Sequence, residues 1–64
     1  MSFVEYLTDT RMKEAMRLLK ETNEKIYVVA QKVGYLESGY FSHVFKKKYG
    51  LTPTQYRNQT HKIY

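Results

Sequence analysis

The chain has 64 residues, eleven Lys and Arg against six Asp and Glu, and an isoelectric point near 9.6, which permits one small domain burying roughly 60% of its unfolded surface. The absence of Cys excludes a disulfide framework or a thiolate metal site, His43 and His61 stand too far apart to suggest a local ligand pair, and no apolar run approaches the ~20 residues of a membrane span. There is no basic-then-apolar signal region, so the expectation is a cytoplasmic protein with no cofactor, metal or membrane span.

Ser2 followed by Glu5 fits a reciprocal cap, the Ser oxygen accepting a first-turn amide proton while the Glu reaches back to the Ser backbone. From Phe3 to about Glu21 neither Pro nor Gly interrupts the chain, and apolar residues at 3, 7, 12, 15, 18 and 19 approximate one helical stripe. The flanking Glu5, Asp9, Arg11, Lys13, Glu14, Arg17 and Lys20 read as a solvated face, with Asp9 and Lys13 at the favourable four-residue spacing. After a polar connector at 22–24, Ile26, Val29, Ala30 and Val33 repeat at helical spacing until Gly34. Lys25 stands where a capping oxygen would help, and its charge opposes the helix dipole, so this short helix depends on tertiary packing.

Gly34 suits the left-handed conformation that closes a helix, turning the chain sharply into Tyr35, Leu36 and Glu37. In the next helix Phe41, Val44, Phe45, Lys48 and Tyr49 share an inward face, while Gly39, His43 and Lys46 lie opposite, flanked by Ser42 and Lys47. Gly50 stops it, and Thr52, Pro53 and Gln55 combine a cap oxygen, a proline at the first helical position and a capping-box glutamine, starting a last helix at about 53–59. The tail 60–64 is expected to fray. The aromatic residues Phe3, Tyr6, Tyr40, Phe41, Phe45, Tyr49 and Tyr56, with Leu7, fall at helical spacing and are expected in the core rather than as base-stacking platforms. The fold expected is all-α: a single four-helix domain over 1–64, with a long helix at about 3–21 and a helix-turn-helix at about 26–49.

Residues 1–37 hold six Lys and Arg against six Asp and Glu, whereas residues 38–64 hold five against none. The whole net charge of +5 therefore lies at or beyond the third helix, which favours a polyanionic partner. A helix-turn-helix alone is common in proteins that never touch nucleic acid; the charge asymmetry tips the balance towards DNA.

The run RMKEAMRLL, followed by KIYVVAQKVGYLESGYFSHVFKKKYGLTPTQYR, closely resembles the second half of the AraC-type DNA-binding domain of bacterial transcription regulators. Its most specific elements are Val33, Gly34 and Tyr35, then Tyr40, Phe41 and Ser42, then Phe45, Lys46 and Lys47, and finally Gly50, Pro53, Tyr56 and Arg57. The resemblance implies that the chain holds the joining helix and the second of two helix-turn-helix units. It further implies a fragment of a larger regulator, whose first unit and effector-binding or phosphorylated receiver domain lie outside it. Two departures bear on sequence preference: His43 stands where the family usually has Arg or Lys, which weakens a bidentate contact to guanine, and Gly39 stands where a polar residue is usual. Val28 replaces the usual acidic residue on a face expected to be exposed.

The candidate base contacts are Ser38, Gly39, Ser42 and His43; Ser38 is equally a good helix cap, for which Glu37 competes. The candidate phosphate contacts are Lys46, Lys47, Thr52, Thr54 and Arg57, the threonines lying where free amides at a helix start bind anions. Lys48 is expected to extend along the core side with its amine in water. The function expected is sequence-specific binding of double-stranded DNA in transcription regulation, with the recognition helix 38–49 in the major groove. The alternative is a protein-interaction module meeting an acidic partner such as RNA polymerase, with a membrane-surface role third. Nothing resembles a nucleophile with its base, a phosphate-cradling glycine loop or a metal-ligand set, so no enzyme is expected.

Overall fold

Four helices, α1 Phe3–Glu21, α2 Ile26–Lys32, α3 Ser38–Tyr49 and α4 Pro53–Thr60, account for most of residues 2–60, which a computed structural model describes. Each boundary has a local chemical cause. At the start of α1, Ser2 Oγ accepts from the Glu5 amide at 3.1 Å and the Ser2 amide donates to Glu5 Oε2 at 3.2 Å. The same exchange opens α4, with Gln55 N to Thr52 Oγ1 at 3.1 Å and Thr52 N to Gln55 Oε1 at 3.0 Å; a cap of this kind is worth about 1 kcal/mol. The α2 helix begins at Lys25 with no side-chain cap, as its sequence predicts, and an ion pair between Lys32 and Glu24 spans it instead. At the other end of the chain Thr60 belongs to α4, its Oγ1 donating to the Tyr56 carbonyl at 2.9 Å. The rest of the expected frayed tail, 61–64, lies outside the described residues.

The core lies where α1 meets α2 and α4 and where α3 closes over them. It consists of Met12, Ala15, Leu18 and Leu19 from α1, Val29 and Ala30 from α2, Val33 and Tyr35 from the turn, and Phe41 and Phe45 from α3. Phe41 and Phe45 are wholly buried, and each contributes about 1.5–3 kcal/mol by the apolar surface it removes from water. Aromatic contacts continue this column: Tyr35 to Phe41 at 5.6 Å, Phe41 to Phe45 at 6.0 Å, Phe45 to Tyr49 at 4.9 Å and Phe45 to Tyr56 at 5.8 Å between ring centroids.

The apolar stripe of α1 enters the core only from Met12 onward. Phe3 is 76% exposed and Tyr6 60% exposed, contrary to the expected core role; in the first turns of α1 it is Val4, Glu5 and Thr8 that face α3, across an open groove lined also by Val44, Lys47 and Lys48. Tyr40 also lies outside, 58% exposed, since its place on α3 is beside the buried face rather than on it. Val28 departs in the opposite sense: it is half-buried within the chain. Among the described residues no helix is long and apolar enough to cross a membrane.

The turn between α2 and α3 is a Schellman closure. Tyr35 N donates to Ala30 O at 2.8 Å and Gly34 N to Gln31 O at 3.1 Å, with Gly34 at φ +97°. The left-handed backbone favours glycine here, and a Cβ at Gly34, 3.2 Å from Cζ of Arg11, would also make that guanidinium give by a few tenths of an ångström. Gly50 shares the left-handed conformation, at φ +80°, but nothing lies within 4 Å of a Cβ built there. Gly34→Ala should therefore lower the unfolding free energy by about 1–2 kcal/mol, and by more than Gly50→Ala. Urea titrations of the two variants read the difference.

Candidate nucleic-acid interface

Glu37 is the residue that caps α3: its Oε1 accepts from the Tyr40 amide at 3.2 Å, and Ser38 becomes the first helical residue. Gly39 leaves room beside this carboxylate: a Cβ there would stand 2.5 Å from the same Oε1, so a larger residue would shift the end of the exposed Glu37 side chain. The carboxylate lies over the first turn, where it meets the positive end of the helix dipole.

From that start the helical period places Gly39, His43 and Lys46 on one outward face, all exposed, while Phe41 and Phe45 fill the core opposite. Ser38 and Ser42 are half-buried at the edges of this face. His43, Lys46 and Lys47 surround one shallow concavity of about 410 Å³. Among the described residues neither Lys46 nor Lys47 forms an ion pair. Lys48 differs from the sequence expectation, since its amine is held 3.2 Å from Asp9 Oδ1 and 5.9 Å from the Tyr49 ring centroid. Asp9 also receives Lys13 at 3.0 Å, as the four-residue spacing predicts. Hydrogen bonds from Lys13 first and Lys48 second hold the Asp9 carboxyl below its ordinary pKa, and Asp9 in turn raises that of Lys13. Burial pushes the Tyr49 phenol up. No acidic residue lies between Ser38 and Thr60; the acidic groups nearest the outward face are the Glu37 cap at its N-terminal end and residues of α1, so the positive charge lies in its later turns.

The remaining candidates are arranged less favourably. At the start of α4, Pro53 has no amide proton, and the Thr52 and Gln55 amides are consumed by their own reciprocal cap. Thr54 is left to offer an amide and an exposed hydroxyl. Arg57 is turned inward: its Nε donates to the Leu19 carbonyl at 3.0 Å, tying α4 to the C-terminal end of α1, and one terminal nitrogen is buried without a partner. The structure brings His43, Lys46 and Lys47 together and holds the Arg57 guanidinium elsewhere. Sequence reasoning missed Arg11, which was assigned to the solvated face. Its guanidinium packs 5.6 Å from the Tyr35 ring centroid and against Gly34, bracing the turn. The signal was its place four residues after Leu7 and four before Ala15, on the stripe itself.

A family model described as a helix-turn-helix domain matches residues 1–59. The chain belongs to the AraC-type helix-turn-helix family. This AraC-type domain is 41% identical over 59 residues to the HTH-type transcriptional activator RhaR of Mannheimia succiniciproducens, covering 92% of this chain and 21% of that protein. It is similar to the C-terminal domain of AraT, a response regulator from Geobacillus stearothermophilus, with a TM-score of 0.95 and 41% identity over 98% of this chain and 52% of that one. The C-terminal domain of the two-component response regulator yesN from Fusobacterium nucleatum gives a TM-score of 0.88 and 44% identity over 89% of this chain and 55% of that one. The chain spans about a fifth of the length of the curated relatives it matches. DNA binding in transcription regulation is the function these likenesses support for the AraC-type domain.

Two outcomes separate bracing residues from the exposed face. Arg57→Ala should cost about 1–3 kcal/mol of stability through the lost charged hydrogen bond, whereas Lys46→Ala should stay within about 0.5 kcal/mol; thermal melts of both variants check this. Because Asp9 has a lower pKa folded than unfolded, its contribution is fully present above about pH 3.9 and is lost as the pH falls further. Asp9→Asn should accordingly flatten the acid limb of a stability–pH curve measured by urea unfolding.

Proposed function

We propose that α3 enters the major groove of double-stranded DNA and reads sequence there, as the recognition helix of a transcription regulator. The observation that carries this is the exposed face of Gly39, His43, Lys46 and Lys47, cationic and unopposed by any carboxylate from Ser38 to Thr60. In this arrangement His43 donates to an acceptor on a base edge, with Ser38, Gly39 and Ser42 lining the approach. Lys46 and Lys47 attract the phosphates, and Thr54, with the Thr52 turn, meets the backbone at the start of α4. Arg57 supports this surface from behind through the Leu19 carbonyl rather than by touching phosphate. The domain acts by binding and not by catalysis.

The parent regulator, in this proposal, carries a first helix-turn-helix unit and an effector-binding or receiver domain. The exposed Phe3, Val4 and Tyr6 at the start of α1 face that first unit. Contact with RNA polymerase is a role of the assembled regulator.

Alone, the domain should bind duplex DNA with a Kd of about 10⁻⁴ to 10⁻⁶ M, weakening steeply between about 50 and 200 mM salt. Fluorescence anisotropy with a labelled duplex, run beside an anionic-vesicle titration, measures this; binding to vesicles and not to duplex would refute the proposal. His43→Ala should change which bases are preferred, whereas Lys46→Ala should weaken all sequences alike and reduce the salt slope by about 1.

A further inference from the structure

Leu36 is 95% exposed, the most exposed of the large apolar side chains among the described residues, and it stands two residues before the first turn of α3. Scattered surface leucines are ordinary; this one is held in place on both sides. Before it, Gly34 and Tyr35 are fixed by the Schellman hydrogen bonds, and Tyr35 is buried. After it, Glu37 is fixed by its cap to the Tyr40 amide. A leucine immediately before a helix cap commonly packs on the fourth helical residue, here Phe41. That site is already filled by Tyr35, whose ring lies 5.6 Å from Phe41. Leu36 therefore has no place in the core and cannot reach one without undoing the turn.

From this placement we infer that Leu36 is a specificity residue that packs on the 5-methyl group of a thymine at the edge of the major groove. The inference rests on the proposed docking of α3, in which the N-terminal end of the recognition helix approaches the base edges. Leu36 lies at that end, within about 7 Å of chain from Ser38. Thymine is the one base that presents a methyl group in the major groove, and an apolar side chain there discriminates it without any hydrogen bond. Leu36 thus supplies selectivity next to Gly39, which has no side chain to read with.

The test uses the full chain and the best duplex recovered from a randomised pool at low salt, with each thymine replaced in turn by deoxyuridine, which lacks only the methyl. Loss of one methyl contact predicts about a fourfold weakening. One replacement should weaken the wild type by about that factor and leave Leu36→Ala unaffected, while Leu36→Met restores the discrimination. Helix content and melting temperature should be unchanged in both variants, because the side chain makes no core contact. If every replacement affects wild type and Leu36→Ala alike, the inference is overturned while the DNA-binding proposal stands. If the wild type binds no duplex, both fall together.

Discussion

The turn from Val33 to Glu37 is the constraint on which the rest depends. Gly34, at φ +97°, closes α2 through two hydrogen bonds to the carbonyls of Ala30 and Gln31. Because those bonds fix Tyr35 against the core, the backbone direction at Leu36 and Glu37 is no longer free. The Glu37 cap then sets the first turn of α3, and with it the rotation of the whole helix about its axis. Phe41 and Phe45 follow inward at four-residue spacing, and His43 and Lys46 follow outward. A change of one residue in this turn would rotate α3 by about 100° and carry the lysines towards the core.

Rotation alone does not make the outward face cationic; the division of the lysine run does. The three consecutive lysines sit in the last turn of α3, where the helix dipole favours positive charge. Asp9 on α1 holds Lys48, so that this lysine also links two helices. Lys46 and Lys47 remain facing water, and their unpaired charge is the part available to a polyanion. The acidic residues are all in the first 37 positions, and all six have partners: Glu5 in a cap, Asp9, Glu14, Glu21 and Glu24 in ion pairs, Glu37 in a cap. Exposed ion pairs of this kind stabilise little; of these carboxylates only Asp9, through Lys48, and Glu37, through its cap, touch α3, and neither holds Lys46 or Lys47.

Features with a local cause were legible in the sequence. The reciprocal caps at Ser2 with Glu5 and Thr52 with Gln55, the left-handed Gly34, the helix stop at Gly50 and the uncapped start of α2 each depend on a few neighbouring residues, and the structure contains all of them. The inward and outward faces of α3 were legible for the same reason, since one helical period decides them. What failed depended on distant partners. Nothing in the first turns of α1 tells Phe3 and Tyr6 from Met12 as core residues, because only the lengths and placement of the other helices decide where cover ends. Arg57 was assigned to phosphate from its charge, but its guanidinium is directed by a carbonyl 38 residues away. Arg11 was assigned to solvent for the same reason, although its stripe position was visible.

Seen from the groove, the outward face is notable for how little hydrogen-bonding capacity it has. A bidentate side chain on a base pair is worth about 1–3 kcal/mol of discrimination, and α3 offers none: Gly39 has no side chain, His43 can direct a single ring nitrogen at a time, and Ser38 and Ser42 are half-buried. Attraction to phosphate by Lys46 and Lys47 is indifferent to sequence. Selectivity in such a surface must come from shape and methyl contacts, or from a second DNA-binding unit tethered to the first, which raises the effective concentration of each at its site. In the docking proposed for α3, Gly39 leaves the centre of the groove-facing surface bare, so the discrimination this helix supplies falls to its neighbours.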